Sequence, residues 1–86
     1  MVKSNDNTSY KRGQELLDQG MYRDAISQFD AAIAEQPDSW KSLNSKGFAL
    51  QKLSKYTEAV ECFDKALAIN PNSVEVLNNE GVTLSM

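Results

Sequence analysis

The sequence contains no histidine, one cysteine, two prolines and no long apolar run. Each shortage narrows what the chain can do. Without histidine it lacks the side chain that titrates near neutrality and the commonest ligand of metal sites. Cys62 has no partner for an internal disulfide and no imidazole to act as its base, so a nucleophilic role lacks its activating group. It lies inside a helical pattern, reads as a small apolar residue, and fits a reducing, cytoplasmic setting. No glycine-rich phosphate loop follows a strand pattern, and no residues cluster with metal-ligand spacing. No catalytic residue, metal or cofactor is expected. The nine Lys and Arg are scattered and the net charge is −3, with a pI near 4.8. That balance builds no basic face for nucleic acid. No segment reaches the roughly 18 apolar residues that would span a membrane. The opening MVKSNDNTS has no apolar core and is no signal peptide; residues 1–8 read as a flexible polar tail.

What remains is helical and periodic. With 86 residues and 41% hydrophobic content, the chain is one small domain whose single compact core would be marginal. The stretch from Tyr56 to Ser73 sets the pattern. Ala59, Val60, Phe63, Ala66 and Leu67 form the stripe of an amphipathic helix, with Glu58, Glu61, Asp64 and Lys65 opposite as a solvated face. Alanines bracketing Phe63 let a neighbouring helix come close while the ring fills the gap. Pro71 ends the helix, since the residue before proline is pushed out of the α region. Asn72 and Ser73 are then ready N-caps. A first helix is expected over Tyr10–Gln19 with Gly20 as a left-handed C-cap. A second follows over Arg23–Glu35, a third over Lys41–Leu53 and a fifth over Val74–Met86. Gly13 lies inside the first helix at a cost of roughly 1 kcal/mol against alanine, which calls for close helix approach. Tyr22 and Tyr56 read as turn-packing residues, and Trp40 as a staple just past the Ser39 cap.

The pattern repeats. Pairing residues 13–50 with residues 47–84 gives 14 identities in 38 pairs. They include Gly, Leu, Tyr, Ala, Phe, Pro and Ser in register, the residues a packed helix pair would fix. The 34-residue period and these residues resemble the tetratricopeptide repeat, a helix–turn–helix unit. Gly13, Leu16, Tyr22, Ala25, Phe29, Ala32 and Pro37 match its signature over residues 9–39. Gly47, Leu50, Tyr56, Ala59, Phe63, Ala66 and Pro71 match it over residues 40–73. Leu77, Gly81 and Leu84 begin a third unit over residues 74–86. The resemblance implies an all-α, right-handed α-solenoid of antiparallel helix pairs, here with five helices. Two slots depart from the family pattern. Its tryptophan position holds Ser9, Leu43 and Leu77, and the leucine beside the glycine is replaced by Arg12, Lys46 and Glu80. Three charges in that slot place it at the solvent edge. Asp30 and Asp64 recur in different repeats and are not expected to converge as an acid–base pair.

The resemblance also implies a site. In this family the first helices of successive repeats line a concave groove for a peptide. The groove candidates are Tyr10, Lys11, Gln14 and Leu17, then Lys41, Asn44, Ser45, Phe48 and Gln51, then Glu75, Asn78, Asn79 and Val82. Asn44 and Asn78 recur at the repeat offset and are either backbone-reading amides or solvated residues. Phe48 is either an apolar anchor or packed sideways against an adjacent helix. Members that grip the acidic tails of heat-shock chaperones use a clamp of cations and asparagines. The matching slots here hold Tyr10, Gln14, Ser45, Glu75 and Asn79, so that ligand is not expected. The chain stops at Met86 within the first helix of a third unit, which leaves Leu77 and Leu84 without their usual cover. Either a longer array continues from here, or a second copy covers that face. Two functions follow. One is a scaffold binding a protein or peptide partner in the groove; the alternative is self-assembly into a homo-dimer or higher oligomer through Leu77 and Leu84.

Overall fold

The computed structural model describes residues 8–86; of the tail expected at residues 1–8, residues 1–7 lie outside the described residues and Thr8 instead opens the first helix. Five helices form: α1 (Thr8–Asp18), α2 (Tyr22–Glu35), α3 (Trp40–Lys52), α4 (Tyr56–Ile69) and α5 (Val74–Leu84). Among the described residues there is no strand. The apolar stripes, the caps and the two prolines therefore place every element, with ends shifted by one or two residues.

The turns explain the ends. The first helix of each full pair closes with a left-handed residue, Gly20 (φ 79°) after α1 and Ser54 (φ 64°) after α3. Around each, two backbone bonds complete the turn. Gly20 N–H donates to Leu17 O and Met21 N–H to Leu16 O, just as Ser54 donates to Gln51 O and Lys55 to Leu50 O. This doubled pattern satisfies carbonyls that the helix end would otherwise orphan. The second helices end differently, at Gln36 and Asn70 just before the prolines, where an α conformation is disfavoured. Ser39 and Ser73 then cap α3 and α5, their hydroxyls accepting from Ser42 N–H and Val76 N–H at 3.3 Å.

Packing follows from glycine facing phenylalanine. A Cβ added at Gly13 would lie 2.5 Å from Phe29 Cε1, and one at Gly47 would lie 2.6 Å from Phe63 Cε1. Only a residue without a side chain lets α2 press onto α1 and α4 onto α3 at this distance. Phe29, Phe63, Ala25, Ala59 and Ala66 are fully buried. The larger core gathers Leu43, Leu50, Phe63, Ala66, Cys62 and Val76, with Trp40, Ile26, Ile33 and Leu67 packed at its edge. Successive helices pack along the chain, and α3 also touches both α1 and α5. The result is an elongated body of 46 × 27 × 17 Å.

Candidate functional site

Because α1, α3 and α5 are neighbours, side chains one repeat apart converge on a shared surface. Gln14 and Leu17 from α1, Asn44, Ser45 and Phe48 from α3, and Glu75 and Asn79 from α5 line an open depression of about 230 Å³. Seven of the expected groove residues thus meet in one place: Gln14, Leu17, Asn44, Ser45, Phe48, Glu75 and Asn79.

Hydrogen bonds fix its floor. Asn79 Nδ2 donates to Asn44 Oδ1 at 2.9 Å. Asn44 is 4% exposed, so the amide is neither solvated nor free; it ties α3 to α5. Deeper along the same seam, Gln51 Nε2 donates to Thr83 Oγ1 at 2.7 Å, and Thr83 Oγ1 donates to Asn79 O at 2.8 Å. This ladder locks α5 in register beside α3. It also places Gln51 behind the groove at 6% exposure. One atom is left over: Gln14 Oε1 is buried and finds no hydrogen-bond partner among the described residues. An orphaned acceptor at that depth costs free energy unless a donor reaches it.

The other expected residues lie elsewhere. Tyr10 leans on Phe29, ring centroids 6.0 Å apart and planes tilted by 51°. Lys41 is exposed and sets its ammonium 5.9 Å from the Trp40 ring centroid. Asn78 and Val82 are exposed on α5, and neither lines the depression. Phe48 resolves toward the groove: it is partly buried, lines the depression, and has Lys52 Nζ 5.2 Å from its ring centroid. A cation at that distance is attracted by the ring quadrupole. Leu77 and Leu84 are 48% and 67% exposed on α5.

The charged slot is less solvent-edged than its sequence implies. Lys46 Nζ lies 2.7 Å from Asp30 Oδ1, joining α3 to α2, with the lysine side chain 28% exposed. Burial alone would lower the Lys46 pKa, but the hydrogen bond and charge of Asp30 outweigh it and the net shift is upward. One repeat on, the equivalent pair is Asp64 and Glu80. Two carboxyls now meet where a cation and a carboxylate met before. A hydrogen bond to Asp64, desolvation and the Asp64 charge push Glu80 up to about 7, because a neighbouring carboxylate disfavours a second negative charge. Burial raises the Cys62 thiol, which keeps it in the less reactive protonated form. No helix of the described residues is long and apolar enough to cross a membrane, and no group of acidic, thiol or imidazole side chains among them could hold a metal ion.

Thr83 is the residue that sequence reasoning missed. The one available signal was a hydroxyl at the repeat position where Ala49 is fully buried; a buried threonine needs a partner, and Gln51 is it.

Comparison with known proteins adds the lineage. The first TPR of Spaghetti (RPAP3), bound to the HSP90 peptide SRMEEVD, superposes with a TM-score of 0.67 over 98% of this chain and 94% of that one. The two share 19% sequence identity, so the likeness speaks for the fold: five helices here form an all-α solenoid of the same kind. Among curated proteins no relative matches significantly. The family model of the tetratricopeptide repeat matches residues 10–82. With its helix pairs in 34-residue register and that match spanning most of its length, the chain belongs to the tetratricopeptide repeat family.

Proposed function

We propose that this chain is a protein-interaction scaffold that holds a peptide or protein segment in the groove between α1, α3 and α5. The observation that carries the reading is convergence: Gln14, Ser45, Phe48 and Asn79 come from three helices and face one depression. A site built on packed helices is formed before the ligand arrives, which lowers the ordering cost of binding. Asn44 and Asn79 position the helices and offer their remaining amide groups, while Phe48 is the apolar anchor. Burying its ring contributes roughly 1.5–3 kcal/mol. Membership of the family favours a binding module over an enzyme. A cytoplasmic setting belongs to this reading, supported by the free and buried Cys62.

The RPAP3 domain is bound to a peptide ending in acidic residues. Here the charged residue lining the groove is Glu75, so a peptide of that sign would meet like charge. A ligand of different chemistry is expected.

Peptide selection from a random display library tests the reading. Peptides enriched on the native chain should bind Phe48→Ala at least tenfold more weakly, with helicity by circular dichroism unchanged. Selected peptides that bind both proteins equally would sink it.

A second reading, self-association, is favoured by the exposure of Leu77 and Leu84 on α5. It predicts a solution mass above 9.6 kDa by light scattering, and a monomer after Leu77→Lys with Leu84→Lys. An unchanged mass in that variant rules the interface out.

A further inference from the structure

The groups left open in the groove are acceptors. Among the side chains that line it, Glu75 alone is charged. The ion pair among the described residues joins Lys46 to Asp30, so Glu75 is left without a countercharge. Lys41, one 34-residue step earlier on α3, holds its ammonium 5.9 Å from the Trp40 ring centroid instead. Lys52 reaches the Phe48 ring but is not among the lining residues. The second open group is Gln14 Oε1, which is buried without a hydrogen-bond partner. The donor beside it on the floor is spent, since Asn79 Nδ2 is given to Asn44 Oδ1. A ligand for this surface has to bring donors.

Chemistry narrows the choice of donor. A hydroxyl or an amide carries an acceptor along with its donors, whereas a lysine ammonium presents three donors, an arginine guanidinium five, and neither an acceptor. Only these two also answer the charge of Glu75. Size agrees: at about 230 Å³ the depression is smaller than the roughly 300–1,000 Å³ of small-molecule pockets, and suits one side chain of a longer segment. Leu17 and Phe48 supply an apolar wall along which the stem of a long basic side chain can lie. Taking the groove as the binding site, the reading on which this rests, we propose that the partner segment is basic. It seats a lysine or arginine in the depression, with its stem along Leu17 and Phe48 and its donors turned to Glu75 and Gln14 Oε1.

The probe is a display library of random peptides flanked by fixed glycines, so that no free terminus enters the groove. Binders should be enriched in Lys and Arg over Asp and Glu. The most enriched sequence, made as a capped, fluorescein-labelled peptide, should bind Glu75→Gln roughly two- to fivefold more weakly and with less dependence on salt. Glu35→Gln, an equal change of charge at the exposed end of α2, should leave affinity unchanged. Norleucine in place of the peptide's basic residue should weaken binding roughly tenfold. Gln14→Met should raise the denaturant midpoint of the free protein, because it removes an orphaned acceptor, and yet weaken binding; a merely structural glutamine would not separate the two. Binders without an excess of Lys and Arg that Phe48→Ala still weakens would overturn the basic ligand and leave the groove standing. Binders that Phe48→Ala leaves unaffected would remove both. Unweakened binding by Glu75→Gln or Gln14→Met would overturn the proposal. So would an equal loss in Glu35→Gln, in favour of the chain's overall negative charge.

Discussion

At Gly47 the whole repeat rests on a missing methyl group. A Cβ there would lie 2.6 Å from Phe63 Cε1 and 2.9 Å from two further ring atoms. Phe63 is fully buried, so the ring has nowhere to retreat. Alanine is the better helix former by roughly 1 kcal/mol, yet overpacking a filled core costs about 1–3 kcal/mol. Gly47→Ala is therefore expected to destabilise, read as a lower denaturant midpoint. Gly81→Ala, with propensity alone at work, should raise the midpoint by the equivalent of about 0.5–1 kcal/mol. If both changes shifted stability the same way, close packing would not explain the glycines. These two positions were legible from the sequence, since a glycine mid-helix demands a reason. Ser54 was legible only as a turn. Its left-handed backbone is where Gly20 stands one repeat earlier, and a serine does not announce that conformation. Thr83 was hidden for a related reason: a hydroxyl shows where a partner is needed but not that Gln51 supplies it.

Between elements, the informative contact is the one that changes sign along the array. Lys46 on α3 pairs with Asp30 on α2, whereas Glu80 on α5 meets Asp64 on α4. The recurring slot was visible in the sequence as Arg12, Lys46 and Glu80. Its consequence was not, because periodicity names the slot without naming what faces it across the helix pair. The pH dependence follows from the Glu80 shift, upward from the ordinary 4.5 of a glutamate to about 7. A carboxyl with a raised folded pKa holds its proton more tightly in the folded state, so protonation favours docking of α5. That support is complete below about 4.5, falls as pH rises, and is gone above about 7. Hydrogen exchange of the α5 amides should accordingly be faster at pH 8 than at pH 5 after correction for intrinsic exchange rates. Glu80→Lys would recreate the Asp30–Lys46 arrangement and remove the difference. An exposed pair of that kind adds only about 0.2–1 kcal/mol, so the loss of pH dependence, rather than a large gain in stability, is the result to read. Retention of the full difference in Glu80→Lys would assign it to other groups.

Across the whole molecule, one period produces both the fold and the groove. The 34-residue register sets α1, α3 and α5 beside one another, and neighbouring repeats then present Gln14, Ser45, Phe48 and Asn79 together. The helix pairs could be read from apolar spacing, caps and prolines because those signals are local. The groove was legible only through the family resemblance, and then incompletely. Counting along a helix put Gln51 and Asn78 with the groove residues, but helix rotation puts Gln51 against Thr83 and leaves Asn78 on the outer surface. Small changes in rotation are set by inter-helix hydrogen bonds such as Asn44–Asn79, which no single stretch of sequence contains. The proposed function requires that a partner bind in this groove. Amide chemical shifts of the native chain, followed by NMR during titration with a peptide selected on it, test that claim most directly. The largest shifts are expected on Gln14, Leu17, Ser45, Phe48 and Asn79; shifts confined to α2, α4 or the outer face of α5 would rule the groove out.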